Sequence, residues 1–186
     1  DPFTEKLDSV LKRPESDPLI MHTHTGTEYW QRHASLGHTD PRTGDDLEFP
    51  ENVRVYALAS AHHGGMPGAS QQLANTMTVG PFLRANLIAM DNWATIGTPP
   101  PFSCVPKKAN NTLSTPDRVL GSFPNIPGVN TPSWPSRLPK YDYGPNFESG
   151  VVTEHPPKPI PGQEYILQVP QVDIDGNEIA GVRSPE

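Results

Sequence analysis

Cysteine is nearly absent from this chain. Cys104 stands alone among 186 residues, so an internal disulfide is excluded. It lies in a proline-rich stretch and reads as a bystander, not a nucleophile. Long apolar runs are missing too. No window approaches ~18 uninterrupted apolar residues, so no membrane-spanning helix is expected. Positive charge is short: 14 Lys and Arg stand against 21 Asp and Glu, for a net charge of −7 and a pI near 5.4. That balance disfavours nucleic acid, whose binding is driven by basic surface. Apolar residues make up 34%, below the usual ~45–50%. No G-x-S-x-G elbow occurs, and Ser60 and Ser70 lack an elbow context. No glycine loop suited to cradling phosphate is present. No basic stretch followed by an apolar run comes after Asp1. A chain opening on Asp reads as a processed or truncated product, which leaves the compartment open.

Proline is what the sequence has in excess, at 24 of 186 residues, more than twice the usual ~5%. Three Trp, six Phe and five Tyr still allow a core. A compact part and a long irregular part are expected. Residues 1–13 read as a short helix with Phe3, Leu7, Val10 and Leu11 as its apolar stripe, ended by Pro14. A strand follows at about 18–23; its continuous apolar run suits a parallel sheet covered on both faces. Thr27 is placed to cap a helix reaching Leu36, with Gly37 beyond it. Residues 38–52 read as a polar loop, 53–61 as a second strand, and 64–78 as loop. Residues 81–96 form the clearest helix, with Pro81 at its first position. Phe82, Leu83, Leu87, Ile88, Met90, Trp93 and Ile96 cover most of its circumference, the pattern of a buried helix. From about 98 onward prolines exclude long helices. Trp134, Tyr141, Tyr143 and Phe147 would pin this extension to a surface, and Tyr165–Val182 reads as a hairpin turning at Asp175-Gly176. The fold class is therefore α/β: a core in residues 1–97, and a proline-rich, mostly irregular extension in 98–186 belonging to the same domain.

Two strand-to-loop junctions carry the chemistry. The first, Leu19-Ile20-Met21-His22-Thr23-His24-Thr25-Gly26-Thr27-Glu28, delivers a carboxylate. The second, Val53 through Ala61 into His62-His63-Gly64, delivers histidines. Glu28 and His63 are 35 residues apart, enough for a crossover between parallel strands. Functional groups in open α/β sheets gather at the carboxyl ends of strands. Acid followed by histidine is the closing order of a Ser…Asp/Glu…His triad. The carboxylate would fix the ring's tautomer and stabilise its cation, while the ring takes the nucleophile's proton.

A rival reading uses overlapping residues. His22, His24 and Glu28 have the shape of a first cupin metal motif, since alternate strand residues share a face. His33, His38, His62 and His63 are further potential ligands, but no second histidine motif follows and the flanks do not read as a barrel. Asp173–Glu178 superficially matches a calcium loop, but its glycine is fourth where an EF-hand needs it sixth; a hairpin turn is the better reading. Asn110-Asn111-Thr112 is a formal glycosylation sequon.

These pieces, taken in order, resemble the C-terminal half of the large bacterial "alpha/beta hydrolase domain" family. The resemblance rests on Thr27-Glu28-Tyr29-Trp30 with Ala34–Asp40, on Pro50–Tyr56 leading to His62-His63-Gly64, and on Pro81–Trp93 running into Gly97–Pro101. It continues through Phe123–Gly128 and Val169–Glu178. It implies the closing portion of an α/β-hydrolase sheet with a proline-rich extension. The family's acid would fall on Glu28 and its histidine on His63, with His62, Tyr29 and Trp30 lining or supporting the site. The implied activity is hydrolysis of small-molecule carboxylic esters or lactones by a serine hydrolase, with no cofactor. The family's serine elbow lies upstream, in sequence absent here. The implied partner is thus an N-terminal hydrolase portion carrying the nucleophilic serine and the oxyanion hole, as a separate chain or a cleaved segment. Residues 18–61 would pair with strands of that portion, and the chain by itself should be poorly folded and inactive. The alternatives are a metal-binding module using His22, His24 and Glu28, and a non-catalytic interaction subunit.

Overall fold

The computed structural model describes residues 11–13, 15–64, 75, 77–131 and 136–183. Residues 1–10 of the helix expected over 1–13 and most of the 64–78 loop lie outside them, as do Ser70 and Trp134; residues 11–13 are described and are not helical. The chain runs β1 (Ile20–Thr25), α1 (Gly26–Gln31), a 3-10 turn at Ala34–Gly37, β2 (Val53–Leu58) and α2 (Gly80–Ile96). It continues with β3 (Leu113–Ser114), α3 (Pro116–Gly121), β4 (Pro139–Asp142), β5 (Lys158–Glu164) and β6 (Val169–Pro170).

The two expected strands pair in parallel, from Ile20 opposite Val53 to Thr25 opposite Leu58. β2 is rich in β-branched and aromatic residues, which suit a pleated, covered surface. One face of β2, Val53, Val55 and Ala57, joins Tyr29, Ala34, Val105 and Leu113 in the core, with Ile20 and Phe49 packed against it. The alternate face carries Arg54, Tyr56 and Leu58. There α2 approaches: Phe82 meets Tyr56 edge-on at 5.8 Å, and Arg54 lies over the Trp93 ring at 5.0 Å.

The proline-rich part is more than a wrap. Cys104 accepts the Ala57 N–H and donates its own to Val55, both at 2.9 Å. Further along the same edge, Val182 donates to Ala57 at 2.7 Å and accepts from Ala59 at 3.0 Å. Two segments of the extension thus occupy the edge of β2 opposite β1. At this edge of β2 the chain supplies its own partners. Among the described residues, β1 has no strand partner besides β2.

Four other readings change. Helix α2 forms at the expected place, with Pro81 in its first turn and Gly97 left-handed at its end, but no α2 residue is buried. Leu87 is 74% and Ile96 70% exposed. Its apolar circumference exceeds what one short parallel sheet can cover. The helix after β1 starts earlier than expected, with Thr25 and not Thr27 as its cap, and ends at Gln31. His33, left-handed at φ 60°, makes the break, not Gly37. The terminal hairpin contracts to a tight turn: Val172 bridges Glu178, and the Asp173 N–H donates to the Asn177 carbonyl while the Asp173 carboxylate accepts the Asp175 and Asn177 N–H groups. Val169–Pro170 pairs instead with β3. Residues 38–52 are more structured than a polar loop suggests, with His38, Thr39 and Asp40 all buried. Tyr143 and Phe147 stack at 4.5 Å. Among the described residues no helix is long and apolar enough to cross a membrane.

The attachment of the extension to β2 has one geometric weak point. Gly181 has φ +105°, and a Cβ there would sit 2.5 Å from the Ala57 carbonyl oxygen. Gly181→Ala is therefore expected to cost about 2 kcal/mol or more, read as a lower urea midpoint at unchanged slope. An unaltered midpoint would contradict the edge pairing.

Candidate functional site

The parallel register places the ends of β1 and β2 side by side, so the loops leaving them share one rim. Thr25 ends β1 and caps α1, which makes Glu28 the third helical residue. A carboxylate at that position reaches back to the cap: Glu28 Oε2 accepts the Thr25 N–H at 2.6 Å and the Thr25 hydroxyl. The other oxygen, Oε1, is left to point outward, where it meets His63 Nδ1. The two loops are also stitched through backbone, from Gly26 N–H to the Ala61 carbonyl at 3.0 Å and from His63 N–H to Thr27 Oγ1 at 3.2 Å.

Burial pushes the Glu28 carboxyl up, but the hydrogen bonds from Thr25 and His63 outweigh it and hold the group below its usual range. The carboxylate is thus an anion at neutral pH. Its side chain is 16% exposed, while that of His63 is 72% exposed. An anionic acceptor at Nδ1 selects the Nδ1–H tautomer and leaves Nε2 as a base. Among the described residues, the hydrogen bonds of His63 go to Glu28 and Thr27.

The supporting residues divide. His62 is half-buried, and its Nδ1 is enclosed with no partner among the described residues. Trp30 is half-buried, and its carbonyl accepts the Ser136 N–H at 3.1 Å. Tyr29 turns away from the rim into the core, where its hydroxyl meets His38 Nε2 at 2.8 Å. At position 29, one residue past Glu28 on a short helix, the side chain packs in the core with Val53, Val55 and Ala57 of β2.

The metal reading does not assemble. His22 and His24 do share a strand face, with rings stacked 6.3 Å apart. His24 is pulled below its normal range by burial and then by His22. Glu28 is turned toward Thr25 and His63 instead. Among the described residues no group of three or more His, Cys, Asp or Glu is placed to hold a metal ion.

Sequence reasoning passed over Glu178. It is 6% exposed. Its Oε2 accepts the Ser60 N–H at 2.6 Å, while its own N–H donates to Ser60 Oγ at 2.8 Å. Burial pushes its carboxyl up to about 7, against the pull of the Ser60 N–H. In sequence it closes the Asp173–Glu178 turn, and nothing there points to Ser60, 118 residues away. Comparison with protein-family models, curated proteins and solved structures finds no match to this chain.

Two buried groups set opposing pH dependences. Burial, then the neighbouring His24, lowers His38 to about 4 in the fold, from 6.5; its contribution is complete above 6.5 and is lost as pH falls toward 4. Glu178, raised to about 7 from 4.5, contributes below 4.5 and loses that contribution as pH rises through 7. Each is worth on the order of 3 kcal/mol, and between 4.5 and 6.5 they oppose each other. Glu178→Gln is therefore expected to gain on wild type between pH 4.5 and 7.5 in urea unfolding. A constant difference at the two pH values would contradict a buried, titrating Glu178.

Proposed function

We propose that this chain supplies the acid and the base of a serine hydrolase acting on small carboxylic esters or lactones. The observation that carries the reading is the pairing of Glu28 Oε1 with His63 Nδ1 at adjacent parallel strand ends. In this reading the chain is the closing portion of an α/β-hydrolase sheet. The nucleophilic serine and the oxyanion hole come from an N-terminal hydrolase portion, as a separate chain or a cleaved segment. The reading is supported by the β1 edge, where the described residues supply no further strand.

The residues divide the labour as follows. Glu28 holds the His63 ring with Nδ1–H inward and stabilises the imidazolium once it forms. His63 Nε2 takes the serine proton as the hydroxyl attacks the ester carbonyl. The same proton passes to the leaving alkoxide as the tetrahedral adduct collapses to the acyl-enzyme. Water then repeats the cycle, with His63 again as base. The open flank of His63 suits both the entry of a serine and the later approach of water. No step calls for a cofactor.

The exposed apolar face of α2 favours a second reading, an interaction subunit without chemistry. Point variants separate the two. In the assembly isolated around this chain, His63→Ala is expected to lower kcat/KM for ester hydrolysis by at least ~10³-fold, mostly in kcat. Glu28→Gln should lower it in the same direction. Activity untouched by both changes would leave only the interaction role.

A further inference from the structure

The acid and the histidine reach the rim on different strands, and their loops meet directly in the Gly26–Ala61 and His63–Thr27 hydrogen bonds and in the Glu28–His63 pair. Glu178 touches both loops from a third element. It closes the tight turn after Val172, a turn held in shape by the Asp173 carboxylate accepting the Asp175 N–H at 3.0 Å and the Asn177 N–H at 2.9 Å. From there its side chain enters the fold behind the strand ends.

On the histidine side, Glu178 and Ser60 grip each other reciprocally, side chain to backbone in both directions. Ser60 has φ +59°, a left-handed conformation that a non-glycine residue keeps only when its surroundings hold it. The residue that redirects the chain from β2 toward His62 and His63 is thus held by Glu178. On the acid side, the other carboxylate oxygen lies against Gly26, where a Cβ would stand only 2.7 Å from it. Gly26 opens the helix that carries Glu28. One carboxyl group therefore lies against the first residue of the acid's helix and the turn of the histidine's loop.

We propose that Glu178 is a positioning residue for the Glu28–His63 pair, holding the two strand-end loops at the spacing that lets His63 Nδ1 reach the Glu28 carboxylate. It touches neither substrate nor the reacting atoms, and acts through Ser60 and Gly26. The proposal rests on the acid–base reading above, but it makes a demand on ring chemistry that needs no turnover to observe.

The test is the tautomer of the neutral His63 ring, read from its ¹⁵N shifts in the full chain. In wild type the proton is expected on Nδ1. Glu28→Ala should return the ring to the Nε2–H-favouring mixture of an imidazole in water. Glu178→Ala, with Glu28 intact, is expected to move the Nδ1–H fraction more than halfway toward the Glu28→Ala value. Glu178→Gln should keep most of the wild-type fraction, since its amide oxygen can still accept the Ser60 N–H. Glu178→Asp keeps the charge but not the reach, and carries the test if the alanine variant does not fold. A folded Glu178→Ala or Glu178→Asp chain with the wild-type tautomer overturns the proposal. Unfolding of both, with Glu178→Gln native, assigns Glu178 to stability alone and also overturns it. If Glu28→Ala itself leaves the tautomer unchanged, the acid–base reading fails first.

Discussion

Everything at the rim of this molecule depends on how the Glu28 carboxylate divides its two oxygens. Oε2 is taken by the Thr25 backbone and hydroxyl, which fixes the side chain against the start of α1. Oε1 is thereby aimed across the strand ends at His63. Had the carboxylate been free to rotate, an exposed histidine on a neighbouring loop would gain little from it, because an exposed ion pair is worth at most ~1 kcal/mol. The helix cap makes the pairing directional. A cap at Thr25 in turn requires β1 to end there, and the Ile20–Val53 register brings Leu58 and the histidine loop level with it.

Around that rim the chain supports itself unevenly. The edge of β2 is completed by Cys104 and Val182, drawn from a region whose prolines forbid long helices but permit single edge contacts. The core face of β2 is fully covered. On the opposite face Tyr56 and Leu58 are buried and Arg54 is half-buried; α2 touches the sheet there through Phe82 and Trp93 and leaves its own Leu87, Ile88 and Ile96 in the open.

What could be read in the sequence was local and periodic. The apolar runs at 18–23 and 53–61 announced β1 and β2, and the spacing of Glu28 and His63 announced their parallel pairing. Pro81 and Gly97 marked both ends of α2. The readings that changed depended on distant segments. The burial of α2 could not be judged from its own apolar circumference, because the amount of sheet available to cover it lies elsewhere in the chain. Tyr29 read as part of the site, but a 3-10 turn after α1 brings His38 beneath it and draws its hydroxyl inward. The metal reading counted side chains on one strand face; among the described residues no third donor converges on the two stacked rings. Glu178 had no local signature, since its partner Ser60 lies 118 residues away. The fold's family resemblance rests on strings of residues and remains a proposal about the assembly.

The central claim is that His63, held by Glu28, activates a serine that another portion of the assembly provides. Its most direct test is labelling of the native preparation with a fluorophosphonate serine probe, followed by mass spectrometry of every polypeptide present. The account predicts label on a serine of a second, co-purifying polypeptide, at a rate that collapses when His63 is replaced by alanine. Absence of label, or labelling indifferent to His63, would contradict it.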